Sequence, residues 1–117
     1  MTKKQYRLEE WNNVKERANG ICEVCGKPVK GGEFAHIIKQ GEIKFLGFYF
    51  IHSAANGLWT CSTALGFNCN KQADMGNSQD GRYEHIQKVI KYLMNNKNVP
   101  PHSFNDSVLH SEFHIIK

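Results

Sequence analysis

The chain lacks any apolar run that approaches the roughly 20 residues of a membrane-spanning helix. Its opening segment, Met1-Thr2-Lys3-Lys4-Gln5-Tyr6-Arg7, has no apolar stretch of the kind that directs export. Both absences point to the cytoplasm and to no membrane partner. No internal repeat and no clear linker divides the 117 residues, so a single domain over 1–117 is expected. Proline is confined to Pro28, in a turn-rich stretch, and to Pro100-Pro101, which ends the last clear element. Neither sign of charge dominates: 15 Lys/Arg against 11 Asp/Glu leaves +4, too mild to demand a polyanionic partner. Hydrophobic residues make up 40% of the chain, which argues against disorder throughout. A domain of this size buries only a modest core.

What is present is concentrated. Four cysteines, Cys22, Cys25, Cys61 and Cys69, occupy the first two thirds of the chain. In a reducing compartment four cysteines are better explained by metal than by two disulfides. Charge is also uneven. Residues 1–30 hold seven Lys/Arg against four Asp/Glu, and residues 82–98 hold four against one. Residues 31–81 hold three against four. Basic ends around a slightly acidic middle suit elements that grip a polyanion around a cation-binding centre. They are equally the solvated faces of two ordinary helices.

Helical spacing of Leu8, Trp11, Val14 and Ala18 predicts a helix over 2–19, with Thr2-x-x-Gln5 as a capping box and Gly20 as its stop. Cys22 to Gly32 is turn-rich and aims two sulfurs at one point. Glu33 to Ile38 reads as a strand, and Leu58-Trp59-Thr60 as its hairpin partner. Between them, residues 39–57 read as a long connection. It carries the aromatic run Phe45-Leu46-Gly47-Phe48-Tyr49-Phe50, a core or lid segment, with stacking on nucleobases as the sharper alternative. Asn68 caps a short helix over about 69–75, closed by Gly76. After a polar loop over 76–81, Asp80 caps a helix over about 82–95, with Tyr83, Ile86, Ile90 and Leu93 on one face.

Cys22-x-x-Cys25 has knuckle spacing, and Cys61 and Cys69 supply the second pair across an unusually long loop. Together they suit a structural zinc ion. His52 or another histidine is an alternative fourth ligand, and four buried free thiols are the bland reading. A metal would stabilise loops between 20 and 80 that hold little regular structure.

Four segments then carry a family likeness: Cys22-Glu23-Val24-Cys25-Gly26, Ala35-His36-Ile37, Asn56-Gly57-Leu58-Trp59-Thr60-Cys61 and Cys69-Asn70-Lys71. In this order, over about residues 20–76, the sequence resembles the HNH endonucleases. The resemblance implies an α+β fold: a small zinc-stabilised ββα-metal (HNH/His-Me finger) core with flanking N- and C-terminal helices. Residues 1–20 would be the N-terminal helix, 21–76 the knuckle and core, and 77–117 a C-terminal helical extension. Matched position by position, His36 would be the general base, Asn56 would orient the imidazole or its backbone, and Asn70 would hold a catalytic Mg²⁺, Mn²⁺ or similar ion. Asp74, four residues after Asn70, would add a second ligand from the same helical face. Many members carry an acidic residue or a second histidine directly before the base; this chain has Ala35. Lys71, Arg82 and Lys88 are the expected DNA contacts.

Residue by residue, milder readings exist. A histidine among isoleucines can be a bonded core group, Asn56-Gly57 is a turn dipeptide, and Asn70 can cap a helix. Their joint order inside the cysteine framework favours chemistry. The expected function is therefore metal-dependent hydrolysis of DNA phosphodiesters, by a monomer or homodimer in a bacterial cytoplasm, compatible with a phage source. The alternative is a zinc-stabilised nucleic-acid-binding protein of phage recombination or regulation that does not cut. A third reading is a structural zinc protein that docks another protein through the aromatic run.

Overall fold

A computed structural model of the chain describes residues 1–62, 68–74 and 81–100. Gly76 as a helix stop, Asp80 as a cap, most of the loop between Cys61 and Cys69 and the tail after Pro100 lie outside these residues.

Helix α1 (Lys3–Ala18) begins with the expected capping box. The Thr2 hydroxyl accepts from the Gln5 N–H at 3.1 Å, and the Gln5 side chain accepts from the Thr2 N–H at 2.8 Å. Such a cap contributes about 1 kcal/mol. Asn19 ends the helix in the left-handed region, with φ of 50°, and Gly20 follows at 79°. The buried face is not the one that apolar spacing suggests. Tyr6, Glu10, Val14 and Ala18 are buried, whereas Leu8 is 47% exposed. A buried glutamate explains the difference. Glu10 accepts from the Ala54 N–H, the Tyr92 hydroxyl and the Asn13 amide, so a charged position faces inward with its oxygens bonded.

Strands β1 (Glu33–His36) and β2 (Gly57–Thr60) form a two-stranded antiparallel ribbon. Glu33 pairs with Thr60 and His36 with Gly57. A side chain at Gly57 would collide with the Phe34 ring, which lies across that position. The connection between the strands is more ordered than expected. It holds a 3₁₀ turn (Gln40–Glu42), helices α2 (Ile43–Leu46) and α3 (Phe48–Ile51), and a second 3₁₀ turn (Ala54–Asn56). Gly47, with φ of 93°, separates the two helices. The aromatic run is thus folded into two single turns that bury Leu46, Phe50 and Ile51.

Helix α4 (Cys69–Ala73) packs against β1, and α5 (Arg82–Met94) packs against α3. Helix α4 is shorter than predicted. The Asp74 N–H closes back onto the Lys71 carbonyl, and Asp74 itself turns extended (ψ of 124°). Asp74 is thus the residue that closes α4, one position past the helix it was expected to share with Asn70. Ile38, Leu46, Phe50 and Ile51 meet Ile86, Val89, Ile90 and Leu93 of α5 in the main core. Cys22, Cys61 and Cys69 form a second, separate cluster. None of the described helices is long and apolar enough to cross a membrane.

Candidate functional site

The four cysteines converge. Their sulfurs all lie within 4.8 Å of one another, and Cys25 and Cys61 are 3.6 Å apart. A zinc tetrahedron with bonds of about 2.3 Å needs sulfurs about 3.8 Å apart, so this set can hold a metal ion such as zinc. Local geometry builds the first pair. The N–H groups of Val24 and Cys25 point at the Cys22 sulfur at 3.4 Å, and Gly26 takes a φ of 78° to close the turn. These donors outweigh burial and bring the Cys22 thiol down to about 6. Burial and its sulfur neighbours push Cys61 up to about 12. Thiols so close cannot all ionise without a cation among them. His52 is not in this set.

A hub ties the knuckle to the ribbon. Arg17 makes two hydrogen bonds to Glu23, at 2.7 and 2.9 Å, and donates to the Ala54 and Gly57 carbonyls. Glu23 in turn accepts from the Trp59 N–H at 2.9 Å. Burial alone would raise the Glu23 carboxyl, but Arg17 and this N–H hold it below its usual range.

His36 ends β1 and meets an unpredicted partner. Its Nε2 lies 3.2 Å from Nδ1 of His52, a buried residue just after α3. The rings sit in an aromatic series. Trp11 stacks on Phe34 at 5.2 Å, Phe34 meets His36 edge-on at 4.9 Å, and Phe48 contacts His52 at 4.6 Å. Burial first, then His52 and Arg7, lower the His36 pKa to about 4; burial and Arg7 bring His52 to about 4 as well. Both imidazoles are therefore neutral at pH 7.

Asn56 makes no side-chain hydrogen bond to the His36 ring among the described residues. It is fully buried and bonds backbone instead: its Nδ2 donates to the Ile38 and Ile51 carbonyls, and its Oδ1 accepts from the Ile38 N–H. Its own carbonyl accepts from the Ile37 N–H, directly after His36. Asn70 donates to the Glu33 carboxylate at 3.2 Å and to the Phe34 carbonyl at 3.4 Å. Alternation puts Phe34 and His36 on one face of β1, and Glu33 and Ala35 on the other. Among the described residues no hydrogen bond joins His36 to Asn70. The strand thus carries two clusters, His36 with His52 and Asn70 with Glu33.

Comparison with protein-family models, with curated proteins and with solved structures finds no significant match to this chain. The chemistry of the site must be argued from its own atoms.

Of the expected DNA contacts, Lys71 and Lys88 are exposed on α4 and α5. Arg82 is held by Glu42 through two bonds of 2.8 and 3.1 Å. Sequence reading missed His85, Glu33 and Arg7, and gave His52 only as an alternative zinc ligand. One signal was there for His52: it sits four residues before Asn56, beside the aromatic run.

Proposed function

We propose that the protein is a metal-dependent endonuclease of the HNH type that hydrolyses DNA phosphodiesters, with His36 as general base. The observation that carries this reading is the 3.2 Å contact between His36 Nε2 and His52 Nδ1 at the end of the ribbon. A contact between two neutral imidazoles needs one N–H and one lone pair. With the proton on His36 Nε2, His36 Nδ1 keeps its lone pair and can take a proton from water. The resulting hydroxide attacks phosphorus, the bond to the leaving oxygen breaks, and that oxygen gains a proton from solvent. His52 is then a positioning residue that fixes both ring and tautomer.

The two-stranded ribbon with α4 beside it, and the four sulfurs next to that helix, suit a zinc-stabilised ββα core. Asn70 and Glu33 supply an amide oxygen and a carboxylate that would hold a divalent ion, with Asp74 at the end of α4 as a further oxygen donor. Across β1 from His36, such an ion would supply charge stabilisation to a phosphate that reaches round the end of the strand. Exposed Lys71 and Lys88 suit phosphate contacts, and a reduced thiol set suits the cytoplasm.

Plasmid nicking with Mg²⁺ or Mn²⁺ tests the proposal. Wild type should nick, and His36→Ala should lose at least about 10²-fold. Equal cleavage by both proteins would remove His36 from the chemistry.

A second reading has its own support. Ala35 stands where a metal-binding side chain is common, and Asn70 faces Glu33 rather than the His36 ring. Both features suit a zinc-stabilised nucleic-acid-binding protein that does not cut. Retention of DNA without nicking by wild type would select it.

A further inference from the structure

The side of α1 that faces the histidine pair carries a cation without an acceptor among the described residues. Arg7 makes no ion pair and no hydrogen bond among the described residues. Its Nε is sealed from solvent against the Trp11 ring, over which the guanidinium lies at 5.2 Å. The Trp11 indole N–H, one helical turn away, is also buried and unbonded. Two neighbouring buried donors without acceptors are unusual in a native fold. Both other arginines of the described residues are spent on glutamates, Arg17 on Glu23 and Arg82 on Glu42. Trp11 stacks on Phe34, which touches His36, so the orphan donors and the histidines share one aromatic wall. Lys3, one turn before Arg7, lies 5.5 Å from the Phe48 ring, which touches His52 from the other end. The site is lined by donors and cations, so it suits an anion.

We infer that Arg7 is the anion clamp of this site, binding an oxygen of a phosphodiester beside the His36–His52 pair, with Trp11 as the platform that orients its fork. The inference deepens the nucleic-acid reading, on which it rests, by naming the group that receives the phosphate. It also gives the N-terminal helix a role outside the stretch that resembles the HNH family. Arg7 suits this task better than a lysine: a planar guanidinium can stack on an indole and still offer its terminal nitrogens to two phosphate oxygens.

The test uses the full chain and dimethyl phosphate as a minimal diester, followed by NMR of the histidine rings. In wild type the probe should shift the His36 and His52 ring signals saturably and leave His85 unchanged. Arg7→Gln should weaken this binding at least about tenfold. Arg7→Lys keeps the charge, guards against misfolding of the glutamine variant, and should bind between the two. Binding by folded Arg7→Gln or Arg7→Lys as tight as wild type, or shifts confined to His85, would overturn the clamp. The outcome separates from the nuclease proposal. A protein that never nicks but loses the diester with Arg7→Gln keeps the clamp and loses the enzyme. A protein that nicks equally well with Arg7→Gln keeps the enzyme and loses the clamp.

Discussion

His85 Nε2 lies 2.9 Å from Asn56 Oδ1, and the contact has only one possible direction. The Asn56 amide nitrogen already donates to two carbonyls, which fixes Oδ1 as an acceptor. His85 must therefore carry its proton on Nε2. The pair clamps the start of α5 to the exit of β1 and the end of α3. An asparagine expected beside the reaction is thus a buried joint that sets where β1 ends.

This joint gives a first prediction. Asn56→Ala would strand the Ile38 N–H and carbonyl and the Ile51 carbonyl, each buried. Unsatisfied groups of this kind cost about 1–3 kcal/mol apiece, so a loss of about 3 kcal/mol or more is expected in urea unfolding. A variant that kept its stability but lost nicking would instead place Asn56 in the chemistry.

Positioning by His52 can be separated from packing by shape. An asparagine at 52 can place a carbonyl oxygen near the site of the imidazole Nδ1 and accept the His36 proton. A leucine fills similar space and accepts nothing. His52→Asn should keep nicking within about tenfold of wild type, while His52→Leu should lose about 10²-fold in kcat with KM little changed. Equal activity in the two variants would show that His52 only fills space.

Acid should weaken the fold through three histidines. His36, His52 and His85 are each brought to about 4 in the folded chain, chiefly by burial, against about 6.5 when unfolded. A depressed folded value means that the unfolded chain binds protons first as pH falls. Their stabilising effect is therefore complete above about pH 6.5 and is lost progressively from there down to about 4. Urea midpoints should fall across that window with zinc in excess. His85→Gln, whose amide can still donate to Asn56, should flatten the slope. An unchanged slope would mean that His85 does not titrate with folding.

Legibility followed the range of the interaction. The α1 capping box, the ribbon and the cysteine quartet were readable because short spacings or strong donor types specify them. The inward Glu10 was not, because its acceptors' partners, Ala54 and Tyr92, lie 44 and 82 residues away. His52 was read as a spare metal ligand because nothing local reveals that α3 carries it onto the His36 ring. Arg7 looked like one more basic residue on a helix. Only the fold reveals that, among the described residues, Arg17 and Arg82 find glutamates and Arg7 does not. The ordered turns around Gly47 were hidden by an aromatic run too short for periodicity to declare a helix.

The last prediction concerns the sulfurs. Thiolates, not thiols, bind zinc, so loading should release protons and its affinity should fall as pH falls. Metal analysis should return about one tightly held zinc per chain. Removal should do more than empty a site. The Cys22–Cys25 turn, β2 through Cys61 and α4 through Cys69 all converge on this cluster. Strand β1 leans on α4 through Asn70, so a loosened α4 would also free the edge that carries His36. Chelation should therefore lower the unfolding midpoint and broaden the His36 ring signal, and zinc alone should restore both. Cys25→Ser removes the one exposed sulfur and should weaken zinc retention with less damage to packing than Cys61→Ser, whose sulfur is buried. A metal-free protein with an unchanged midpoint would show that the thiols support the fold as plain apolar groups.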